Sequence, residues 1–274
     1  HCRFRTDVGT FTARMGGCHS GETVILLHGF PATSACWLGA MSTLARAGLR
    51  LVAFDQRGYS AGARPNRVEE YAITELASDV LDIAGLLGAE SFHLVGHDWG
   101  ASVGWYLAAH EPSRVRSFTA LSVPHLAAYG WALQHDDDQK RMASYIRLLR
   151  MRKAERVLLE DEGRRLRASY GDRVPAHLVE SYMTHFRRPG ALTAALNWYR
   201  AMGRDLADLP PIEVPTTYIW GDSDVALARA GAERCGDHVR SDYKFAELRD
   251  VGHWIPEEVP AIVAQHVLDR VTSE

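Results

Sequence analysis

Three short apolar segments, each followed directly by a turn of glycine and polar residues, constrain the fold of this chain most. They lie at residues 24–27, 49–54 and 92–95. Continuous apolar runs of this length are typical of strands buried on both faces of a parallel sheet. Before the third run, apolar residues recur every three or four positions over residues 76–87, which predicts a helix that ends near Gly88. The alternation of strands and helices predicts an open α/β sheet.

The chain changes character after residue 124, where the strand pattern stops. Helical patterns follow at residues 139–162, 174–182 and 190–202. Strand patterns return at residues 216–220 and 245–248, before a closing helix at residues 260–271. We therefore predict a mostly parallel sheet flanked by helices, with an all-helical cap inserted into it. The predicted core domain comprises residues 1–124 and 207–274, and the predicted cap comprises residues 125–206.

The sharpest local signal is Gly-His-Asp-Trp-Gly at residues 96–100. It has the form of a nucleophile elbow, with Asp98 where esterases place serine. The tight turn leaves no room for a Cβ at Gly96 or Gly100, and it lifts the central side chain at the carboxyl ends of the strands. Aspartate is also a preferred N-cap of a helix. The local sequence alone leaves both roles of Asp98 open.

Two further polar clusters follow predicted strands. Asp222 and Asp224 come directly after residues 216–220, and His253 comes after residues 245–248. The order nucleophile, acid, histidine is the order expected of an α/β-hydrolase fold. Although each of these residues alone has an ordinary structural explanation, their shared position after strands favours a catalytic site.

Together these motifs resemble those of the epoxide hydrolase branch of the α/β-hydrolase superfamily, over nearly the whole chain. The resemblance implies the α/β-hydrolase fold. It rests on His28-Gly29-Phe30-Pro31, Asp55-Gln56-Arg57-Gly58-Tyr59, Gly96-His97-Asp98-Trp99-Gly100, Leu196-Asn197-Trp198-Tyr199-Arg200, Gly221-x-x-Asp224 and Gly252-His253-Trp254.

The resemblance implies a role for each member of the triad. Asp98 is expected to attack an epoxide carbon and form an alkyl-enzyme ester. His253 is expected to activate the water that hydrolyses this ester, and Asp224 to orient His253. Asp224 is preferred over Asp222 because the acid of the family stands last in the G-x-x-D turn. A carboxylate nucleophile is already ionised at neutral pH, so the attack needs no base.

The resemblance also implies two sets of groups that stabilise developing negative charge, one by hydrogen bonds and one by proton transfer. The backbone N–H groups of Phe30 and Trp99 are expected to form an oxyanion hole for the hydrolytic step. The phenols of Tyr199 and Tyr145 are expected to protonate the epoxide oxygen. Tyr199 matches its family motif well, whereas residues 147–150 after Tyr145 replace the aromatic run of the family. A core-packing role for Tyr145 therefore stays open.

Several other residues have weaker signals. Trp37, Trp131 and Trp254 are candidates for lining a substrate pocket, although tryptophan is often simply buried. Arg57 is predicted to be a structural loop residue. The run His-Asp-Asp-Asp at residues 135–138 is predicted to be a solvated loop before a helix rather than a metal site.

The composition restricts the partners. With 31 basic and 34 acidic residues the net charge is −3, which provides no basic field for nucleic acid. No apolar run is long enough to span a bilayer. The four cysteines show no metal-site spacing, and we expect reduced thiols in the cytoplasm.

We expect a small-molecule epoxide of apolar or aromatic character and water as the reactants, with no cofactor and no metal. The oligomeric state, with a homodimer as one option, and the native start before His1 stay open.

Two alternative functions are kept. A dehalogenase uses the same triad but expels a halide. Haloalkane dehalogenases typically carry asparagine where Phe30 stands, and fluoroacetate dehalogenases carry arginine where Trp99 stands, although haloalkane enzymes share that tryptophan. A non-catalytic ligand-binding protein on a hydrolase fold is the second alternative.

Overall fold

The computed structural model describes residues 2–203 and 208–273. Within these residues one sheet of eight strands forms the centre of the protein. The strands are β1 (Cys2–Arg5), β2 (Thr10–Gly17), β3 (Thr23–Leu27), β4 (Arg50–Phe54), β5 (Phe92–His97), β6 (Val115–Leu121), β7 (Thr216–Gly221) and β8 (Tyr243–Leu248). Their spatial order is β1-β2-β4-β3-β5-β6-β7-β8. The pairs β1–β2 and β2–β4 are antiparallel, and all other pairs are parallel.

Twelve α-helices occur in the part of the chain that the structure describes. They are α1 (Leu38–Leu44), α2 (Ile73–Leu86), α3 (Trp99–His110), α4 (Leu126–His135), α5 (Asp137–Met142), α6 (Tyr145–Leu149), α7 (Ala154–Ala168), α8 (Ala176–Phe186), α9 (Ala191–Ala201), α10 (Arg229–Glu233), α11 (Ile255–Glu258) and α12 (Pro260–Val271). No helix among the described residues is both long and apolar enough to cross a membrane.

The predicted α/β architecture is confirmed. Every residue of β3, β5 and β7 is buried, because apolar side chains on both faces of these central strands are covered by helices. Each parallel strand runs in the same direction, so the residues after β3, β5, β6 and β7 meet at one edge of the sheet. This edge is where the predicted site residues lie.

Three parts of the architecture differ from the prediction. The strands β1, β2 and β6 were not predicted; in β6, Arg116, Ser117 and Thr119 interrupt the apolar run. The predicted helix over residues 139–162 is broken into α5, α6 and the start of α7. Tyr145, Leu149 and Leu158 line one cavity, whereas a straight helix would spread them over about 20 Å. The breaks allow the segment to curve around that cavity.

The six helices α4–α9 lie between β6 and β7 and cover the carboxyl edge of the sheet. Several hydrogen bonds join them to the core; among these, the Tyr170 hydroxyl donates to the Pro31 carbonyl at 2.6 Å, and Trp198 Nε1 donates to the Arg57 carbonyl at 2.9 Å. The division into a core and a cap domain stays a prediction. Its second boundary, at residues 206–207, lies outside the described residues.

Arg57 is a structural residue, as predicted. Its guanidinium is buried and makes two hydrogen bonds of 2.7 Å, one to each carboxylate oxygen of Asp79, which is also buried.

The substitution Arg57→Ala leaves Asp79 as an uncompensated buried charge, so we expect a loss of about 3–5 kcal/mol in the free energy of unfolding. Urea denaturation measures this loss. Arg67→Ala is the matched control, because the ion pair of Arg67 with Glu69 is exposed and contributes less than about 1 kcal/mol. Equal losses in the two variants contradict the prediction.

Candidate active site

Asp98 lies in a strained turn between β5 and α3. Its backbone has φ 54° and ψ −120°, and its side chain makes no capping hydrogen bond to α3. Asp98 therefore occupies the N-cap position of α3, but its carboxylate does not cap the helix. A Cβ on Gly96 would lie 2.3 Å from the carbonyl oxygen of Gly100, as expected for an elbow. A Cβ on Gly100 would lie 2.2 Å from the carbonyl oxygen of Leu27 in β3. The second glycine is thus required by the neighbouring strand.

The loop after β3 supplies a backbone donor to the Asp98 carboxylate. The N–H of Phe30 donates to Asp98 Oδ1 at 2.8 Å. This approach depends on Gly29, since a Cβ at that position would lie 2.2 Å from the same oxygen. Trp99 is the first residue of α3, where a backbone N–H has no partner within the helix. The Phe30 N–H therefore contacts the carboxylate of the predicted nucleophile, and the Trp99 N–H follows directly after it in the chain.

His253 lies between the two predicted acids. Its Nε2 atom is 3.7 Å from Asp98 Oδ2, and its Nδ1 atom is 3.1 Å and 3.2 Å from the two oxygens of Asp224. All three side chains are buried. The structure brings together three residues that are 126 and 29 positions apart in the sequence.

Asp224 and Asp222 differ in the backbone N–H groups from which they accept hydrogen bonds. Asp224 Oδ1 accepts hydrogen bonds from the N–H groups of Ala226 at 2.7 Å and Leu227 at 3.0 Å. Asp222 instead accepts from the N–H of Asp250 at 2.8 Å, and it stabilises the turn before the histidine loop. The geometry agrees with the preference for Asp224.

The charges of the site are coupled. Burial disfavours the charged imidazolium of His253, but the carboxylates of Asp224 and Asp98 outweigh it and raise the pKa of His253 well above its usual value. Burial also disfavours the Asp224 carboxylate, but His253 and the surrounding donors lower the pKa of Asp224. Burial lowers the pKa of His97 to about 4, and its Nε2 lies 2.8 Å from the His253 carbonyl oxygen, to which it donates. His97 therefore fixes the loop that carries His253.

Tyr145 and Tyr199 lie above Asp98 on helices α6 and α9. Tyr199 is only 3% exposed and packs edge-on against the rings of Phe30 and Trp99. Tyr145 is 38% exposed, and it lines the cavity over Asp98 together with Tyr199. Although part of Tyr145 is exposed, the phenol groups of both tyrosines lie inside the cavity, where burial, together with the charge of Asp98, raises their pKa well above the usual value. Both therefore carry their protons at neutral pH.

The cavity has two chambers that share Asp98, Tyr145 and Tyr199. Each chamber has a volume of about 540 Å³, which suits a small organic ligand. The first chamber is lined mainly by apolar and aromatic side chains, among them Leu148, Leu149, Leu158, Leu166, Tyr170 and Trp254. The second chamber continues with Val123, Leu126, Tyr129, Leu133, Ile146 and Leu227.

Of the three predicted pocket tryptophans, only Trp254 lines this cavity. Trp37 is fully buried in the turn before α1. Trp131 lies on α4, where its ring stacks on His135 at 4.8 Å and under the guanidinium of Arg234 at 3.9 Å. We therefore correct the assignment of Trp37 and Trp131 to the pocket. Trp37 fills the core, and Trp131 contacts neighbouring side chains away from Asp98.

No cluster of three or more possible metal ligands occurs within residues 2–203 and 208–273. The run at residues 135–138 comprises the last residue of α4, the N-cap Asp136 and the first two residues of α5, and Asp136 accepts from the N–H of Gln139 at 2.6 Å. The predicted loop before a helix is thus reduced to a single residue between two helices. Two residues near Asp98 were missed by the sequence analysis, namely Ser122 after β6 and Tyr129 on α4. Ser122 could have been identified from the sequence if residues 115–121 had been recognised as a strand, because Ser122 directly follows them.

Comparisons with known proteins agree with this fold. Residues 22–260 match the family model described as alpha/beta hydrolase fold. The chain is 33% identical to the AB hydrolase superfamily protein YfhM of Bacillus subtilis, covering all of this chain and 98% of the relative. It is 29% identical to epoxide hydrolase A of Mycobacterium tuberculosis, covering 97% of this chain and 96% of the relative. Among solved structures, epoxide hydrolase A of Mycobacterium thermoresistibile superimposes with a TM-score of 0.88 at 26% identity, covering 99% of this chain and 98% of that one.

Proposed function

The chain belongs to the α/β-hydrolase family, on its epoxide hydrolase-like branch, and we propose that it converts an apolar or aromatic epoxide to a vicinal diol through a covalent ester on Asp98. The observation that carries this proposal is the position of the Asp98 carboxylate. It lies at the meeting point of two apolar chambers, below two protonated phenols and 3.7 Å from a histidine that Asp224 holds.

In the first half-reaction, Asp98 Oδ2 attacks an epoxide carbon. Oδ1 is held by the N–H of Phe30, which leaves Oδ2 as the attacking atom. The C–O bond of the ring breaks as the ester bond forms, and the epoxide oxygen takes a proton from Tyr145 or Tyr199. The alkoxide that would otherwise form is a much stronger base than a phenolate, so this transfer is favourable although the phenols are weak acids.

In the second half-reaction, His253 Nε2 takes a proton from a water molecule that adds to Cγ of the Asp98 ester. The tetrahedral oxyanion forms on Oδ1, where the N–H groups of Phe30 and Trp99 stabilise it. The bond between Cγ and Oδ2 then breaks, so Oδ2 leaves with the alkyl group as the second hydroxyl oxygen of the diol. The proton held by His253 goes to this leaving oxygen. Asp98 keeps the oxygen of the water, and the remaining proton of that water restores the phenol through solvent, which regenerates the Asp98 carboxylate.

The cavity supports an apolar substrate. Apolar and aromatic side chains form most of the lining of both chambers, and burial of apolar surface there favours binding. Because the chambers extend on both sides of Asp98, an epoxide with substituents on both carbons fits as well as a terminal one.

Turnover on paired panels of aromatic epoxides and haloalkanes tests the proposed function. We expect diol from the epoxides and no halide from the haloalkanes. Halide release without diol favours a dehalogenase, and tight ligand binding without either product favours a non-catalytic protein. A chelator should leave the rate unchanged, since we propose no metal for the reaction.

Removal of either phenol should slow ring opening. We expect Tyr199→Phe and Tyr145→Phe each to lower the rate of ester formation by about 10²-fold, which is the lower range for general acid catalysis. Stopped-flow fluorescence under single-turnover conditions measures this rate. Tyr182→Phe is the control, because Tyr182 is fully buried and donates to Glu257 at 3.0 Å outside the cavity lining. Ester formation at the wild-type rate in both cavity variants rules out their role as acids.

A further inference from the structure

Ser122 follows β6 and has no role in the mechanism above, although its side chain lies against the acid–histidine pair. Its Oγ donates to Asp224 Oδ2 at 2.7 Å and lies 2.9 Å from His253 Nδ1. Both distances are shorter than those between Nδ1 and the carboxylate, 3.1 Å and 3.2 Å. We propose that Ser122 is a positioning residue for the base: its hydroxyl links Asp224 to His253 and orients the imidazole for ester hydrolysis. The inference rests on the proposed function.

The direction of the hydrogen bonds follows from the acceptors. A carboxylate accepts only, so the hydroxyl proton of Ser122 points to Asp224. A lone pair of Oγ then faces His253 Nδ1, and this nitrogen has to carry a hydrogen to make the contact. The Nε2 atom of the neutral ring is therefore unprotonated, and it faces Asp98. Ser122 thus favours the tautomer that a base at Nε2 requires.

The backbone of Ser122 is held in an unusual conformation. Its φ is 70°, and the residue is fully buried. Non-glycine residues with positive φ are uncommon, and they persist where the surrounding structure enforces them. Here the Ser122 N–H donates to the Ile219 carbonyl at 2.9 Å, and the Tyr218 hydroxyl donates to the Ser122 carbonyl at 2.7 Å. Both partners belong to β7, the strand that leads to Asp224, so the same strand fixes the hydroxyl and the acid.

Asp224 alone holds the imidazole less closely. Its Oδ1 already accepts from two backbone N–H groups in the loop after β7, which restricts rotation of the carboxylate toward Nδ1. The hydroxyl of Ser122 therefore provides the shortest acceptor for the Nδ1 hydrogen. That hydrogen bond becomes stronger when the imidazolium forms in the hydrolytic step, because hydrogen bonds from charged donors are the stronger ones.

The titratable groups that face His253 are Asp98, Asp224, His97 and Glu257. Of these groups only Asp224 loses a partner when the hydroxyl of Ser122 is removed, because that hydrogen bond helps to lower the pKa of Asp224. His253 loses its shortest acceptor for the imidazolium, which should lower the pKa of His253. A purely structural role of Ser122 does not predict such a change.

The variants Ser122→Ala and Ser122→Gly separate the hydroxyl from the backbone strain, since glycine accepts positive φ without cost. With styrene oxide in single turnover, rapid quenching and mass spectrometry follow the ester on Asp98. We expect ester formation within about twofold of wild type and ester hydrolysis slower by about 10- to 100-fold in both variants. The acid limb of the hydrolysis rate should move to lower pH. Ser117→Ala is the control: Ser117 is also buried in β6 and also contacts a histidine, at 2.8 Å from His93 Nδ1.

A second measurement needs no substrate. The ¹⁵N NMR signals of the His253 ring, assigned with His253→Gln, report its tautomer and pKa in wild type and in Ser122→Ala. Unchanged signals together with unchanged hydrolysis overturn the inference. A normal rate in Ser122→Gly with a slow one in Ser122→Ala also overturns it, because strain and not the hydroxyl is then responsible. A wild-type protein that forms no ester contradicts the proposed function, and the NMR comparison still decides the role of Ser122.

Discussion

Replacement of Asp98 by alanine is expected to abolish diol formation, with a decrease in kcat of at least about 10⁴-fold, as is usual for a lost nucleophile. The expectation follows from the geometry of the elbow. Asp98 is the acidic residue common to both chambers of the cavity, and its Oδ1 is held by the Phe30 N–H at 2.8 Å. Without the carboxylate of Asp98 the ester cannot form.

Diol formation by chromatography, compared between Asp98→Ala and wild type, measures this effect. Asp222→Ala is a matched control, because Asp222 is an acid on the same loop as Asp224 but is exposed and bonded to the N–H of Asp250. We expect the control to retain most of the activity. Residual activity near wild type in Asp98→Ala points to direct attack by a water molecule that His253 activates, and the covalent mechanism is then wrong.

An isotope experiment checks the same step independently. In H₂¹⁸O, a single turnover through an ester places the label first in the carboxylate of Asp98, because water attacks Cγ and one of the two Asp98 oxygens leaves with the product. Direct attack of water on the epoxide places the label in the diol. The two routes therefore give different labelled species in the first turnover, whatever the overall rate.

The sequence was sufficient to predict those strands and helices whose hydrophobic pattern is visible within a few consecutive residues. The central strands β3, β4 and β5 are largely apolar, and α12 begins and ends at the predicted residues. The strand β6 was missed because Ser117 and Thr119 are polar and yet buried. Ser117 contacts His93 of β5, and a partner across the sheet is not visible in a local pattern.

The candidate site divides in the same way. The elbow, the G-x-x-D turn and the histidine loop are each short motifs of a few consecutive residues. These motifs were therefore sufficient to predict that Asp98, Asp224 and His253 follow strands. The pocket lining depends on how α6 and α7 bend over the sheet, so neither Trp37 nor Trp131 was placed correctly. Ser122 was missed together with β6, since a residue is recognised as following a strand only when that strand is recognised.

The substitution His253→Gln should separate the two half-reactions. Glutamine cannot accept a proton from water as imidazole does, so we expect ester formation to proceed and ester hydrolysis to fall by at least about 10³-fold. Intact-protein mass spectrometry should then show the protein with the mass of the epoxide added. Asp98→Ala combined with His253→Gln should show no addition, which locates the ester. His177→Gln is the control, because His177 is exposed on α8.

The electrostatics of the site explain why the histidine acts in the second step. In the free protein the Asp98 and Asp224 carboxylates together raise the pKa of His253, against the effect of burial. Ester formation removes the charge of Asp98, so the pKa of His253 falls and its neutral, basic form becomes populated when the ester is present. We therefore expect ester hydrolysis to remain fast at a pH where the free enzyme still holds a protonated His253. NMR titration of His253 in the free enzyme, set beside the pH dependence of ester hydrolysis, measures the two values. An apparent pKa for hydrolysis equal to or above that of the free enzyme contradicts this coupling and requires that the charge of Asp224 alone controls the base.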